Sequence, residues 1–409
     1  MPCGSLTVGD LWMKEGIEMR RMLAAVALTT ITISVPAWAG VGGSGRSDRP
    51  TLPEVPFEYA GVELPDHVLS GSRRIPPAGR ADNTPPDNPI TDEGATLGRV
   101  LFYDTRLSAN ETVSCATCHI QEFGFSAPER LSVGLHGETT ARHSMALANA
   151  RFYEPGRFFW DERAATLEEQ VLVPIQDRVE MGMDLALLQD RLADTDFYPE
   201  LFEAAFGTPA ITNERISKAL AQFVRSLVSF GSKYDQAFAA GAARTPDFEA
   251  VFDDDELLGL RLFEGARGSG GARGRGRMGG MSGMGPGVTC SVCHATTAQI
   301  ASRPRNNGLD SGIVDEGAGG GRFKVPSLRN VAVRAPYMHD GRFESLREVV
   351  HFYNTDVQRG RGVDRALMHA SMHGMGLTDA EVDAIVAFLE TLTDEAFLTD
   401  PKFSDPFAG

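Results

Sequence analysis

One five-residue signature, present twice, constrains this chain more than anything else in it. Ser114-Cys115-Ala116-Thr117-Cys118-His119 returns far downstream as Thr289-Cys290-Ser291-Val292-Cys293-His294. Each copy contains C-x-x-C-H, in which two thiols add across the vinyl groups of a haem and the adjoining histidine becomes the proximal ligand of its iron. Two other readings compete. A structural zinc site needs four ligands converging on a closed tetrahedron, and a thioredoxin-like C-x-x-C pair needs no histidine after it. Two copies behind an export signal favour two covalently bound haems c.

The 409 residues are enough for two domains with cores of their own, and 175 residues separate the two motifs, which suits one haem per domain. Four of the five cysteines belong to the motifs and Cys3 lies upstream of the export signal, so the mature chain is expected to hold no disulfide. Residues 19–39 run from Met-Arg-Arg through an apolar stretch to Ala37-Trp38-Ala39, a secretory signal with a small-x-small cleavage site. The 18 residues before it carry acids and glycine and look like no signal, which places the true start at Met19 or Met22. Residues 1–39 are thus expected to be removed and the mature protein to be periplasmic, where c-type haems are attached. No other stretch reaches 18 apolar residues, so no membrane insertion is expected. The net charge of −16 argues against nucleic acid and suits a basic or dipolar electron carrier as partner, although plain solubility explains it equally well.

Residues 40–92 are rich in Gly, Pro, Asp and Arg and read as an irregular lead-in. Helical periodicity begins at Thr91 with Leu97, Val100 and Leu101. Thr166 and Glu169 form a capping box for a helix ending at Pro174. Ile216, Leu220, Phe223, Val224, Leu227 and Val228 mark an amphipathic helix reaching Gly231. A helix over 254–263 follows. Another opens at the Thr378/Glu381 capping box and carries Val382, Ile385, Val386 and Leu389. No strand-like alternation appears, so the expected fold is all-α, with an N-terminal haem domain over 93–235 and a C-terminal one over 236–400. Residues 265–287, nearly all Gly, Arg, Met and Ser, read from their composition as a flexible insertion. Its Met278, Met281 and Met284 offer soft thioethers to copper(I), against the reading of a low-complexity loop.

From about Asn88 to Thr393 the chain resembles the bacterial dihaem cytochrome c peroxidase and MauG family. The resemblance rests on Leu97-Gly98-Arg99-Val100-Leu101-Phe102-Tyr103-Asp104, on Phe158-Phe159-Trp160-Asp161-Glu162-Arg163-Ala164, and on Glu180-Met181-Gly182. It also rests on Phe323-Lys324-Val325-Pro326-Ser327-Leu328-Arg329-Asn330, on Ala335-Pro336-Tyr337-Met338-His339-Asp340-Gly341 and on both haem motifs. It implies two cytochrome c-like helical domains with the haems facing each other across the interface. Glu180 corresponds to the family's distal carboxylate, which shuttles a proton between the oxygens of peroxide. Gln170 corresponds to the distal glutamine, and Trp160 to the tryptophan that relays electrons between the haems.

At the C-terminal haem, typical peroxidases place a methionine fourteen residues after the histidine of Tyr-x-His-Asp-Gly. Here that position is Tyr353, as in MauG-type members, and a phenolate ligand favours ferric and higher oxidation states. Met368, Met372 and Met375 are substitutes for it, and an ordinary buried tyrosine is the competing reading. In the loop after the first motif, where typical members carry a blocking histidine, the register places Leu135, with His136 adjacent. The family's calcium site maps onto His143, in place of an asparagine, and onto the backbone carbonyls of Arg334 and Pro336. His339 reads as a supporting residue rather than a ligand, and His67, His351, His369 and His373 receive no role.

The resemblance thus implies a periplasmic oxidoreductase using hydrogen peroxide at the His119 haem. Electrons come through the His294/Tyr353 haem from a small cytochrome c, a copper protein or a protein substrate, with a homodimer as an oligomeric option. The alternatives are an ordinary cytochrome c peroxidase that detoxifies peroxide and a non-enzymatic dihaem electron carrier.

Overall fold

The structure, a computed structural model, describes residues 47–72, 75–241, 245–265 and 290–408. The export signal and the insertion beyond Gly265, with its three methionines, lie outside these residues. Among the described residues there are seven α-helices of eight or more residues: α1 Asp92–Tyr103, α2 Leu185–Ala193, α3 Tyr198–Phe206, α4 Asn213–Ser226, α5 Lys233–Ala240, α6 Asp254–Phe263 and α7 Asp379–Glu390. The same residues hold no β-strand, only isolated bridges such as Phe158 with Ala164 and Tyr337 with Phe343. The helices begin where their caps dictate. Thr91 Oγ1 accepts from Gly94 N at 3.0 Å to start α1, and the Asp253/Glu256 and Thr378/Glu381 boxes start α6 and α7.

Two helix pairs build two apolar cores by the same device. Leu97-Gly98-Arg99-Val100-Leu101-Phe102 in α1 and Leu258-Gly259-Leu260-Arg261-Leu262-Phe263 in α6 share the pattern Leu-Gly-x-x-Leu-Phe. At each glycine another helix crosses so closely that a Cβ would stand 2.0 Å from the Ala219 carbonyl oxygen of α4, or 1.9 Å from that of Ala384 in α7. Only glycine admits such an approach. The repeat continues in the connecting segments. Asn149 and Asn330 both adopt left-handed backbone, at φ 61° and 59°. The Asn149 side chain accepts from Ser229 N at 3.0 Å and that of Asn330 from Asp394 N at 2.8 Å, so each ties its loop to the residues that follow its crossing helix.

Several elements differ from expectation. The helix expected to reach Gly231 ends at Ser226, and Leu227 and Val228 continue in non-helical backbone. Their hydrophobic spacing persists because both pack on the core. The turn opened by Thr166 breaks after Gln170, and a second short helix, Leu172–Gln176, contains Pro174 instead of stopping at it. Glu169 caps Ala165 N at 2.9 Å, one residue earlier than a capping box would. The lead-in is irregular but bound to both halves: His67 Nε2 lies 2.8 Å from Asp235 Oδ1, and Ala78 N donates to Thr297 Oγ1 at 3.0 Å. The C-terminal tail turns back, so Phe397, Leu398, Phe403 and Phe407 are buried in the core of the N-terminal half.

Candidate functional site

A cavity of about 490 Å³ opens among the short segments of the N-terminal half, with Lys324–Ser327 of the C-terminal half on its wall, within the range of cofactor and ligand sites. Cys115, Cys118 and His119 line it, with Trp160, Gln170, Glu180 and Lys324. The first motif reaches it because Ser114 and Thr117 cap the turn Cys115–Cys118 reciprocally, which leaves His119 at its end. His119 Nδ1 lies 2.9 Å from the Phe125 carbonyl oxygen, and in the second motif His294 Nδ1 lies 3.0 Å from that of Gln299. Both carbonyls come from non-glycine residues held at positive φ, 61° and 51°, a costly backbone that aims the acceptor. Burial pushes each imidazole down to about 4, so the ring is neutral. Nδ1–H donates to the carbonyl and Nε2 keeps its lone pair, the arrangement that orients a histidine ligating a metal.

The thiols speak against one competing reading. Burial pushes Cys115 and Cys290 up to about 12 and Cys118 up to about 11, whereas a redox-active C-x-x-C pair has a depressed pKa. Among the described residues no three His, Cys, Asp or Glu side chains converge on a metal position, so neither motif is completed into a zinc tetrahedron.

Glu180 is held by a loop closed on Asp177, whose carboxylate accepts from Val179 N at 2.8 Å. Burial, and then the neighbouring Asp177 charge, push the Glu180 carboxyl up to about 7. Gln170, at the end of the Leu167–Gln170 turn, lines the same cavity. Leu135 is buried, and its N–H points at the Val179 carbonyl at 3.0 Å, while the adjacent His136 is exposed and outside the cavity wall.

Trp160 stands where the two halves exchange backbone hydrogen bonds. His143 N donates to the His339 carbonyl and Lys324 N to the Trp160 carbonyl, each at 2.8 Å, so each half supplies one donor and one acceptor. The indole Nε1 donates to the His143 carbonyl at 2.8 Å. The Trp160 ring meets the edge of His339 at 6.5 Å between centroids, and His339 stacks on Phe323 at 3.7 Å.

Tyr353 is elsewhere. It sits on a π-helical turn, Phe352–Asp356, of the kind that recurs at functional sites. Burial raises its phenol, and it lies near enough to Cys293 and Cys290 for them to add to that rise. Met368 and Met372 are each 45% exposed, whereas Met375 and Tyr353 are both partly buried against one apolar cluster.

Of the donor set expected to hold calcium, His143 does not suit that ion. His143 contributes no oxygen: its ring nitrogens lie 3.1 Å from Ser126 Oγ and 3.2 Å from the Glu129 carbonyl. The buried Arg334 guanidinium adds positive charge beside it and donates to the Ser327 carbonyl. Pro336 follows a cis peptide and offers only its carbonyl.

Lys324 was not singled out by sequence reading. Its ammonium lies 4.0 Å and 4.3 Å from the ring centroids of Tyr153 and Phe158, donates to the Arg157 carbonyl at 3.1 Å, and is pushed down to about 7 by burial. Only its apolar neighbours Phe323 and Val325 hinted at this.

Two helical units, each with a C-x-x-C-H turn whose histidine is tethered through Nδ1, define the class: a c-type cytochrome of two domains. Comparison with known proteins narrows it. A family model described as di-haem cytochrome c peroxidase matches residues 92–243, and one described as cytochrome c matches 288–393. The chain is 30% identical over 316 residues to the methylamine utilization protein MauG of Methylophilus methylotrophus, covering 75% of this chain and 84% of that protein. It is 34% identical over 370 residues to MauG of Paracoccus denitrificans, with 79% and 93% covered. Cytochrome c551 peroxidase of Nitrosomonas europaea is 31% identical over 337 residues, with 78% and 84% covered. Among solved structures, a MauG-like protein associated with microbial copper homeostasis superposes with a TM-score of 0.65 at 30% identity, covering 84% of this chain and 98% of that one.

This chain belongs to the di-haem cytochrome c peroxidase and MauG family. It is a peroxidase-family enzyme with two covalently bound c-type haems, and it works with peroxide and an electron donor. No helix among the described residues is long and apolar enough to cross a membrane.

Proposed function

We propose that the chain is a MauG-like peroxide-dependent oxidoreductase, with the N-terminal cavity as the peroxide site and the C-terminal haem as the electron relay. One observation supports this above the others: His119, Gln170 and Glu180 line one cavity, while Tyr353 stands by the second motif. Cys115 and Cys118 would hold one haem with His119 as ligand, and Cys290 and Cys293 the other with His294 and Tyr353. The haem at His119, when bound, supplies an open coordination position for peroxide and the electrons that cleave its O–O bond.

The chain's own residues manage the protons. The ionised Glu180 carboxylate takes the proton from one peroxide oxygen and returns it to the departing one. The Gln170 amide orients the bound oxygen by hydrogen bonding. Leu135 occupies the place of a blocking histidine, so peroxide enters without prior reduction. Trp160, with its indole pinned at Nε1, would carry oxidising equivalents between the two halves once both haems are bound. Tyr353 would hold the second haem through its phenol oxygen and favour its higher oxidation states, with the electrons drawn in turn from a protein substrate. We place this reaction in the periplasm, after removal of the export signal.

Stoichiometric peroxide added to the all-ferric protein tests the reading. Optical and Mössbauer changes at both irons without prior reduction support it. A response only after half-reduction supports instead a cytochrome c peroxidase fed by a small cytochrome or copper protein. Inertness in every redox state leaves a dihaem electron carrier.

A further inference from the structure

We propose that residues 368–373 form a binding site for monovalent copper, built by the imidazoles of His369 and His373 with the thioethers of Met372 and Met368. The segment reads Met368-His369-Ala370-Ser371-Met372-His373 and forms one short helix. At about 100° per residue, Met368, Met372, His369 and His373 fall at roughly 0°, 40°, 100° and 140°, one continuous arc of the helix surface. Ala370 falls on the opposite side and is the residue the helix buries, at 3% exposure. The helix therefore turns its small residue to the protein and Met368, Met372 and His373 outward, with His369 half-buried beside them.

The donors are unengaged. The His369 and His373 rings lie 5.0 Å apart between centroids, and neither imidazole is held by a hydrogen bond or an ion pair. His369 Nδ1 is enclosed without a partner. By contrast His67, His119, His143 and His294 each have a defined hydrogen-bond partner. Met368 and Met372 leave nearly half their surface in solvent on the same face. A single exposed methionine is unremarkable. Two of them interleaved with two free imidazoles are a set of four neutral donors.

That set selects its ion by chemistry. It contains no carboxylate or carbonyl, so hard cations such as calcium and magnesium are poorly served. Thioethers favour copper(I), and imidazole accepts the same ion. Arg359 donates to the Ser371 and Met372 carbonyls at 2.9 Å and 3.0 Å, which places a positive charge beside the site. A divalent ion is penalised by that neighbour twice as much as a monovalent one. The site lies outside the His119 cavity but is joined to the Tyr353 turn, because Met375 N donates to the Asn354 carbonyl at 2.8 Å.

The test is equilibrium dialysis of the dihaem protein against copper(I) buffered by bicinchoninate, under anaerobic conditions, with copper counted by mass spectrometry. The double variant His369→Leu/His373→Leu is expected to hold one equivalent less than the unaltered protein, and Met372→Leu to bind that equivalent at least tenfold more weakly. Unchanged haem absorption and circular dichroism in both variants establish that the fold is kept. The copper K-edge spectrum of the one-equivalent complex should contain both imidazole nitrogen and thioether sulfur. Equal copper in the unaltered protein and the double variant, a sulfur-only shell, or no copper bound at all would each overturn the proposal.

Discussion

Glu180→Gln isolates the proton shuttle, because the amide keeps the volume and hydrogen bonding of the carboxyl while losing its basicity. Burial and Asp177 set the carboxyl at about 7, and only the ionised form can accept a proton. The ionised fraction is then roughly 1% at pH 5 and about 90% at pH 8, so the second-order rate constant with peroxide should rise roughly 90-fold across that interval. Activity is thus lost as pH falls through about 7. In Glu180→Gln the rise should vanish, and the rate at pH 8 should drop by on the order of 10²- to 10⁴-fold, the usual contribution of a positioned base. Stopped-flow mixing of ferric protein with peroxide, followed in the Soret band from pH 5 to pH 8.5, measures both. The reasoning is refuted if variant and parent share one pH profile, or if the parent slows as pH rises through 7.

Trp160→Phe removes the donor to the His143 carbonyl and the indole between the halves; it should bind both haems normally yet respond to peroxide at the second haem far more slowly, as rapid-freeze spectroscopy would record. Gly98→Ala and Gly259→Ala force a Cβ to within about 2 Å of a carbonyl oxygen, so each should lower stability by at least roughly 1–3 kcal/mol, measured by denaturant unfolding. The carboxyl of Asp235, which burial alone would raise, is held down at about 2 by Arg329, with His67 and Ser232 assisting. Its folded pKa is below its unfolded one, so its stabilisation is present above about pH 4 and fades as pH falls toward 2. Unfolding should show a loss on the order of 2 kcal/mol over that range, absent in Asp235→Asn.

What could be read from the chain alone was whatever is local or follows from resemblance. The C-x-x-C-H turns announce their cofactor because attachment needs only five consecutive residues. The helices around Leu97, Ile216 and Val382 were legible because a 3.6-residue period and its caps are short-range signals. Glu180, Gln170 and Trp160 came from matching motifs, and as isolated letters they had no distinguishing mark. The Leu-Gly-x-x-Leu-Phe repeat was present in the sequence too, but its meaning depends on the close crossings with Ala219 and Ala384.

Tertiary structure alone decided the rest, since it arises between residues far apart in the chain. Tail residues such as Phe403 complete the N-terminal core, and Lys324 is buried against Tyr153 by contacts that no local pattern encodes. The neutrality of His119 and the raised carboxyl of Glu180 are likewise properties of surroundings. A side chain's protonation follows from how much water and charge the folded neighbours leave beside it, and those neighbours are assembled only when the two halves close on each other.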